Sequence, residues 1–139
     1  MTLTDRRIGK PLLVSGAGFF LVGLLGGLAT EIGPWYRALV KPSFQPPDWL
    51  FGPAWTLIFA LTAYAAADAW RRADTEPDRR RIAIAFTVNG LLNILWSVLF
   101  FKLRRPDWAL IEVVPLWLSI AWMIPTVWRR CCCAVRACD

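Results

Sequence analysis

The chain contains no histidine. That removes His-ligated haem, His-based metal sites and imidazole general bases together. Cysteine is confined to the last nine positions, as Cys131, Cys132, Cys133 and Cys138. Neighbouring cysteines in a tail form neither a disulfide framework nor a zinc-finger spacing. No metal-ligand set and no catalytic residue is expected from this pattern, and no cofactor is required. Acidic residues are the scarcer charge, 10 against 16 basic ones, for a net +6. The basic residues cluster at the ends of apolar blocks. They therefore read as topology signals and lipid-headgroup partners rather than as a nucleic-acid face.

What remains is apolar and aromatic. The 139 residues are 57% hydrophobic and 14% aromatic, with mean hydropathy +0.45. Soluble domains are about 45–50% apolar by a similar count. The excess is gathered in four long blocks, which predicts an all-α, polytopic transmembrane helix bundle of one domain. The blocks are Leu12–Thr30, Leu50–Trp70, Ile82–Phe101 and Trp108–Trp128. Each approaches the ~20 residues that cross a bilayer. The first could be a signal peptide behind its basic head, Arg6, Arg7 and Lys10, but it exceeds the usual apolar core of ~7–15 residues and reads as a retained span. Between the second and third blocks, RRADTEPDRRR (71–81) reads as a solvated connector. Pro115 and Pro125 predict kinks in the fourth span.

Orientation follows from the basic residues. The head, the 71–81 connector and the tail carry eleven, while Arg37, Lys41, Lys102, Arg104 and Arg105 lie on the other side. The positive-inside rule then puts the head and tail in the cytoplasm.

Three features could serve structure or function. Gly23 and Gly27, with Gly16 and Ala29 near them, make a small-residue face that fits either internal packing or a homodimer seam. In the third block, Phe86, Asn89, Asn93, Trp96, Ser97 and Phe100 fall on one helical face. Its amides, hydroxyl and indole N–H must find partners inside the bundle, either as interhelical hydrogen bonds or as a ligand pocket. Glu112 is the one acidic residue well inside a span. It is a functional candidate, with snorkelling or helix-dipole effects as the plainer account. Trp108, Trp117, Trp122 and Trp128 read as belt and packing residues.

The stretch Trp35–Thr56, WYRALVKPSFQPPDWLFGPAWT, stands apart. Pro42, Pro46 and Pro47 exclude ordinary helix interior and predict a rigid aromatic loop running into a helix near Leu50. The order Trp35-Tyr36, Lys41-Pro42, Pro46-Pro47, Trp49, Phe51, Pro53, Trp55-Thr56 resembles the signature of the TspO/MBR family. That family comprises the tryptophan-rich sensory proteins and the translocator protein. Asn93-x-x-Trp96-Ser97-x-x-Phe100-Phe101 is a second match, and the resemblance covers Gly16 to Trp128.

The resemblance implies an integral membrane protein, in a bacterial inner or outer membrane. It would bind tetrapyrroles or related lipophiles such as sterols, in transport or sensing. The implied cavity residues are Trp55, Asn93, Trp96 and Ser97, with Phe59 one turn from Trp55 and Asn89 on the same polar face. Trp35, Pro46, Pro47 and Trp49 would belong to a lid. Porphyrin propionates would meet Arg37 or Lys41 at the mouth. The alternative that the family suggests is an enzyme degrading porphyrin through Trp-based chemistry.

The chain departs from the family pattern. Members have five transmembrane helices, and four are visible here. After Trp128 the chain reads RRCCCAVRACD. Residues 1–130 are expected to form one domain and 131–139 a Cys-rich tail. Truncation or a frameshift, a palmitoylated cluster and a reactive thiol cluster are the three accounts of that tail. Phe59 stands where the family often has Tyr, Asn89 where it commonly has Gln, and Val98 where Pro is frequent.

Overall fold

The computed structural model describes residues 9–41 and 43–136. The head bearing Arg6 and Arg7, together with Pro42 and Cys138, lies outside the described residues. So do the side chains of Trp128, Arg129, Arg130, Arg136 and the other three cysteines. The elements are α1 (Gly9–Ala29), a short α2 (Pro34–Ala38), a 3-10 turn (Asp48–Leu50), α3 (Phe51–Arg72), α4 (Glu76–Ser97) and α5 (Pro106–Arg136). A π-helical turn, Val98–Lys102, extends α4.

Four helical stretches are long and apolar enough to cross a bilayer: Gly9–Ala29, Asp48–Arg72, Glu76–Lys102 and Pro106–Val127. Their outer faces carry the chain's largest apolar side chains. Leu13, Phe20, Leu28, Leu110 and Trp117 are each more than two thirds exposed. An apolar surface this extensive is not stable in water, and in a bilayer it meets acyl chains. The protein is an integral membrane helix bundle.

Small residues set the packing inside. On α3, Ala63, Ala66, Ala67 and Ala69 are buried, and Phe19, Ile82 and Phe86 fill the space against them. The α1 and α3 helices run antiparallel, because Ser15 donates to the Ala63 carbonyl (2.8 Å) while Gly23 lies against Phe59. The α1 and α4 helices run parallel, because Val22 meets Gly90 and Gly26 faces Ser97. A Cβ built on Gly90 would stand 3.0 Å from Val22 Cγ2, so the missing side chain permits this approach. Gly23 therefore packs internally.

Two connections differ from expectation. The 71–81 segment is mostly helix rather than a connector. Arg71 and Arg72 end α3, paired with Asp68, and Glu76–Arg81 open α4. Thr75 caps α4 by accepting the Asp78 N–H (3.4 Å), with Pro77 in the first turn where its lost N–H costs nothing. After α4, the turn to α5 holds Arg104 at φ 53°, the left-handed region that non-glycine residues rarely occupy. Glu31, just past α1, reaches Lys102 (3.4 Å) in this turn. The α5 helix continues through Pro115 and Pro125 and on to Arg136, beyond the expected end at Trp128.

Candidate functional site: an apolar cavity under the aromatic loop

A cavity of about 850 Å³ lies between α1, α3 and α4 beneath the loop that follows α1. Its existence follows from residue size. The face that α1 turns to it includes Gly16, Gly23, Gly26 and Gly27 between larger residues, and α3 contributes Gly52, Ala60 and Ala63 beside its rings. Where neither helix carries a side chain, space is left, and the surrounding rings do not fill it.

Those rings form two connected groups. On one side Trp55 tilts against Phe59 (centroids 5.4 Å), which stacks on Phe19 (6.2 Å), which meets the edge of Phe86 (6.2 Å). On the other, Trp96 stacks on Phe100 (5.2 Å, 9° between planes) and presents its edge to Phe101 (6.1 Å). Trp35 packs edge-on against Phe100 (5.8 Å) and Tyr36 against Phe101 (5.7 Å), so ring contacts fasten α2 to the π-helical turn. Polar groups on the wall are few. Asn93 donates to the Asn89 carbonyl (3.1 Å) and Ser97 to the Asn93 carbonyl (3.2 Å), which leaves the Asn93 side-chain oxygen with acceptor capacity.

Of the residues expected at a ligand site, Trp55, Phe59, Asn93, Trp96 and Ser97 all line this cavity. Asn89 does not. It is buried and donates to the Ser119 hydroxyl (3.0 Å), toward α5. Trp35 sits behind Phe100, and Pro46, Pro47 and Trp49 lie in the loop without reaching the wall. Trp49 is 71% exposed. Arg37 and Lys41 do not line the cavity either. The Lys41 ammonium stands over the Tyr36 ring, 3.6 Å from its centroid.

Tyr36 and Asp48 are among the lining residues that were not expected at a site. Tyr36 is buried on the wall, and its hydroxyl accepts from Gln45 Nε2 (3.1 Å), which pins the loop onto the cavity. Its place in the Trp35-Tyr36 pair was the available signal. Asp48, between Pro47 and Trp49, stands at the rim and is the one charged residue on the wall. None of the described side chains of α5 borders the cavity. Glu112 is buried in α5 instead, and neither carboxylate oxygen has a hydrogen-bond partner, so it does not snorkel to the interface. Among the described residues no group of His, Cys, Asp and Glu could hold a metal ion.

A membrane-spanning helix bundle with an aromatic-walled cavity under a proline-rich loop is the class that this architecture defines. Residues 15–135 match the TspO/MBR family model, and the chain belongs to that family. It is 36% identical over 121 residues to the "Tryptophan-rich protein TspO" of Archaeoglobus fulgidus, which covers 86% of this chain and 78% of that one. The "Translocator protein" of Sus scrofa is 31% identical over 111 residues, 75% of this chain and 66% of its own. The "Tryptophan-rich sensory protein" of Cereibacter sphaeroides is 35% identical over 94 residues, 68% and 55% respectively. The chain thus spans from about half to about four fifths of these relatives' lengths. No solved structure matches it.

Proposed function

We propose that this protein binds a flat, lipophilic ring compound of the tetrapyrrole type within the membrane, and acts in its transport or in sensing it. One observation carries the reading: an 850 Å³ apolar cavity flanked by Trp55, Phe59 and Trp96, with the Asn93 amide on its wall. Ligand sites typically enclose ~300–1,000 Å³, with few polar groups to orient the guest. Indole and phenyl faces give a flat ring large contact area, and Asn93 would orient its polar edge. The names of the relatives, a sensory protein and a translocator, agree with this role. A helical rather than barrel span favours the bacterial inner membrane over the outer one.

Tryptophan-quenching titrations with protoporphyrin in detergent test it. Trp55→Ala and Asn93→Ala should each weaken binding severalfold, whereas Trp122→Ala, on the exposed face of α5, should not. Equal losses at all three positions would remove the cavity from the account.

A further inference from the structure

The α4 helix has two unlike faces. One carries Ile82, Phe86, Asn89 and Gly90 into the bundle. The opposite one carries Ile84, Val88, Leu91 and Leu95, each more than a third exposed. Their alternating spacing of four and three residues sets them in one stripe along the helix. At 1.5 Å per residue the stripe is ~16 Å long, close to the ~15 Å of hydrocarbon in one leaflet. At its head stand Arg80 and Arg81, which fall on either side of the stripe at about 100° per residue. Both are exposed, and neither forms an ion pair among the described residues. Their basic neighbours are engaged. Arg71 and Arg72 hold Asp68, and Arg79 holds Glu76 (3.1 Å). Two unpaired guanidinium groups therefore bracket the end of an apolar track. Like charges one residue apart repel, and an anion between them turns that repulsion into attraction.

We propose that this outer face of α4 binds one anionic phospholipid, its phosphate held by Arg80 and Arg81 and an acyl chain laid along Ile84, Val88, Leu91 and Leu95. Each planar guanidinium fork donates charge-assisted hydrogen bonds that match phosphate oxygens. A choline lipid offers the same phosphate but adds a quaternary ammonium beside two cations, so it is the poorer occupant. The arginines lie at the end of the bundle that the positive-inside rule places in the cytoplasm, where anionic headgroups are drawn to such bases. Asn93 and Trp96 line the cavity from the other side of the helix, so this site stands apart from the cavity and from any ligand there.

The full chain, stripped of lipid in detergent, is titrated with dioleoyl phosphatidylglycerol or dioleoyl phosphatidylcholine, and bound lipid is counted by native mass spectrometry. The parent chain should retain one phosphatidylglycerol roughly tenfold more tightly than phosphatidylcholine. Arg80→Gln and Arg81→Gln should each cut that preference severalfold, and together abolish it. Lys10→Gln removes one exposed charge at the same end of the bundle and should leave the preference within about twofold. A second measurement on the parent chain places the acyl chain. Phosphatidylglycerol with a diazirine at the end of one acyl chain is photolysed on the protein, and its adducts should map to α4 between Ile84 and Leu95. Equal loss in Lys10→Gln and Arg80→Gln would reduce the effect to surface charge and overturn the site. So would an unchanged preference in the double arginine variant, equal retention of the two lipids by the parent chain, or adducts spread evenly over α1, α3 and α5.

Discussion

Asn89 on α4 donates its amide to the Ser119 hydroxyl on α5, 3.0 Å away, and Ser119 in turn donates to the Leu116 carbonyl at 2.6 Å. Both side chains are buried. In hydrocarbon neither could find water, so this pair fastens the two helices. Replacing Asn89 by Ala should lower thermal stability by about 0.6–1.7 kcal/mol. Because Asn89 does not border the cavity, the same variant should keep its affinity for a porphyrin-type ligand. Thermal unfolding and quenching titrations on one sample would read both. A large affinity loss at unchanged stability contradicts this division of roles.

Gly90 faces Val22 closely: a Cβ there would sit 3.0 Å from Cγ2, so Val22 would have to give by a few tenths of an ångström. Gly90→Ala should destabilise by about 1–3 kcal/mol through overpacking. Val22→Ala in the same chain should recover part of that loss. A double-mutant cycle of midpoint temperatures would show the coupling, and strict additivity would mean that the helices part without strain.

Glu112 is buried with two unpartnered oxygens. Removing a buried polar group that has no partner relieves a cost of about 1–3 kcal/mol. Glu112→Met keeps the volume and should raise the unfolding temperature in detergent. A fall would mean that the carboxyl serves a contact formed only in the lipid-embedded protein.

Three of the loop's contacts meet at one ring. Tyr36 accepts Gln45 at its hydroxyl, carries Lys41 on its face and packs on Phe101. Tyr36→Leu removes all three contacts, whereas Tyr36→Phe removes only the first. Chymotryptic cleavage at Phe44, which is 85% exposed, should accelerate severalfold in the Leu variant and little in the Phe variant. Equal protection in both would make Trp35 and Phe100 the true anchor.

Orientation in the bilayer is tested by labelling. With the four tail cysteines changed to Ser, Arg37→Cys should react with a membrane-impermeant maleimide in intact cells, and Arg79→Cys should not. These positions lie on opposite sides of the bundle, beside the ends of α1 and α3 respectively. The reverse pattern would mean that the positive-inside count fails here.

Much of this architecture is written in hydropathy alone. Four apolar blocks of spanning length can be little else, and the described helices cover them. The first turns of α4 were missed because hydropathy discounts Arg79, Arg80 and Arg81. Yet Thr75, Pro77 and Asp78 spell a helix start once capping is considered. On the site, periodicity grouped Asn89 with Asn93 correctly as one face. It could not say that such a face meets two neighbours. Asn89 turns to α5 and Asn93 to the cavity, a difference of rotation that only helix packing fixes. Val98 illustrates a local limit. Its N–H donates to the Ile94 and Leu95 carbonyls as the π-helical turn begins, which a proline there could not do.

The cavity's wall includes Phe20 and Leu24, which are also exposed on the outside of the bundle. In a bilayer that opening looks onto lipid, so an empty cavity fills with acyl-chain ends rather than water. A guest then displaces hydrocarbon, and the water-release gain that drives binding in soluble pockets is already spent when it dissolves in the membrane. Selectivity must come from ring stacking and the few polar groups. The relevant ligand concentration is moles per mole of lipid. At fixed protein and ligand, adding lipid should weaken apparent binding by dilution within the membrane phase.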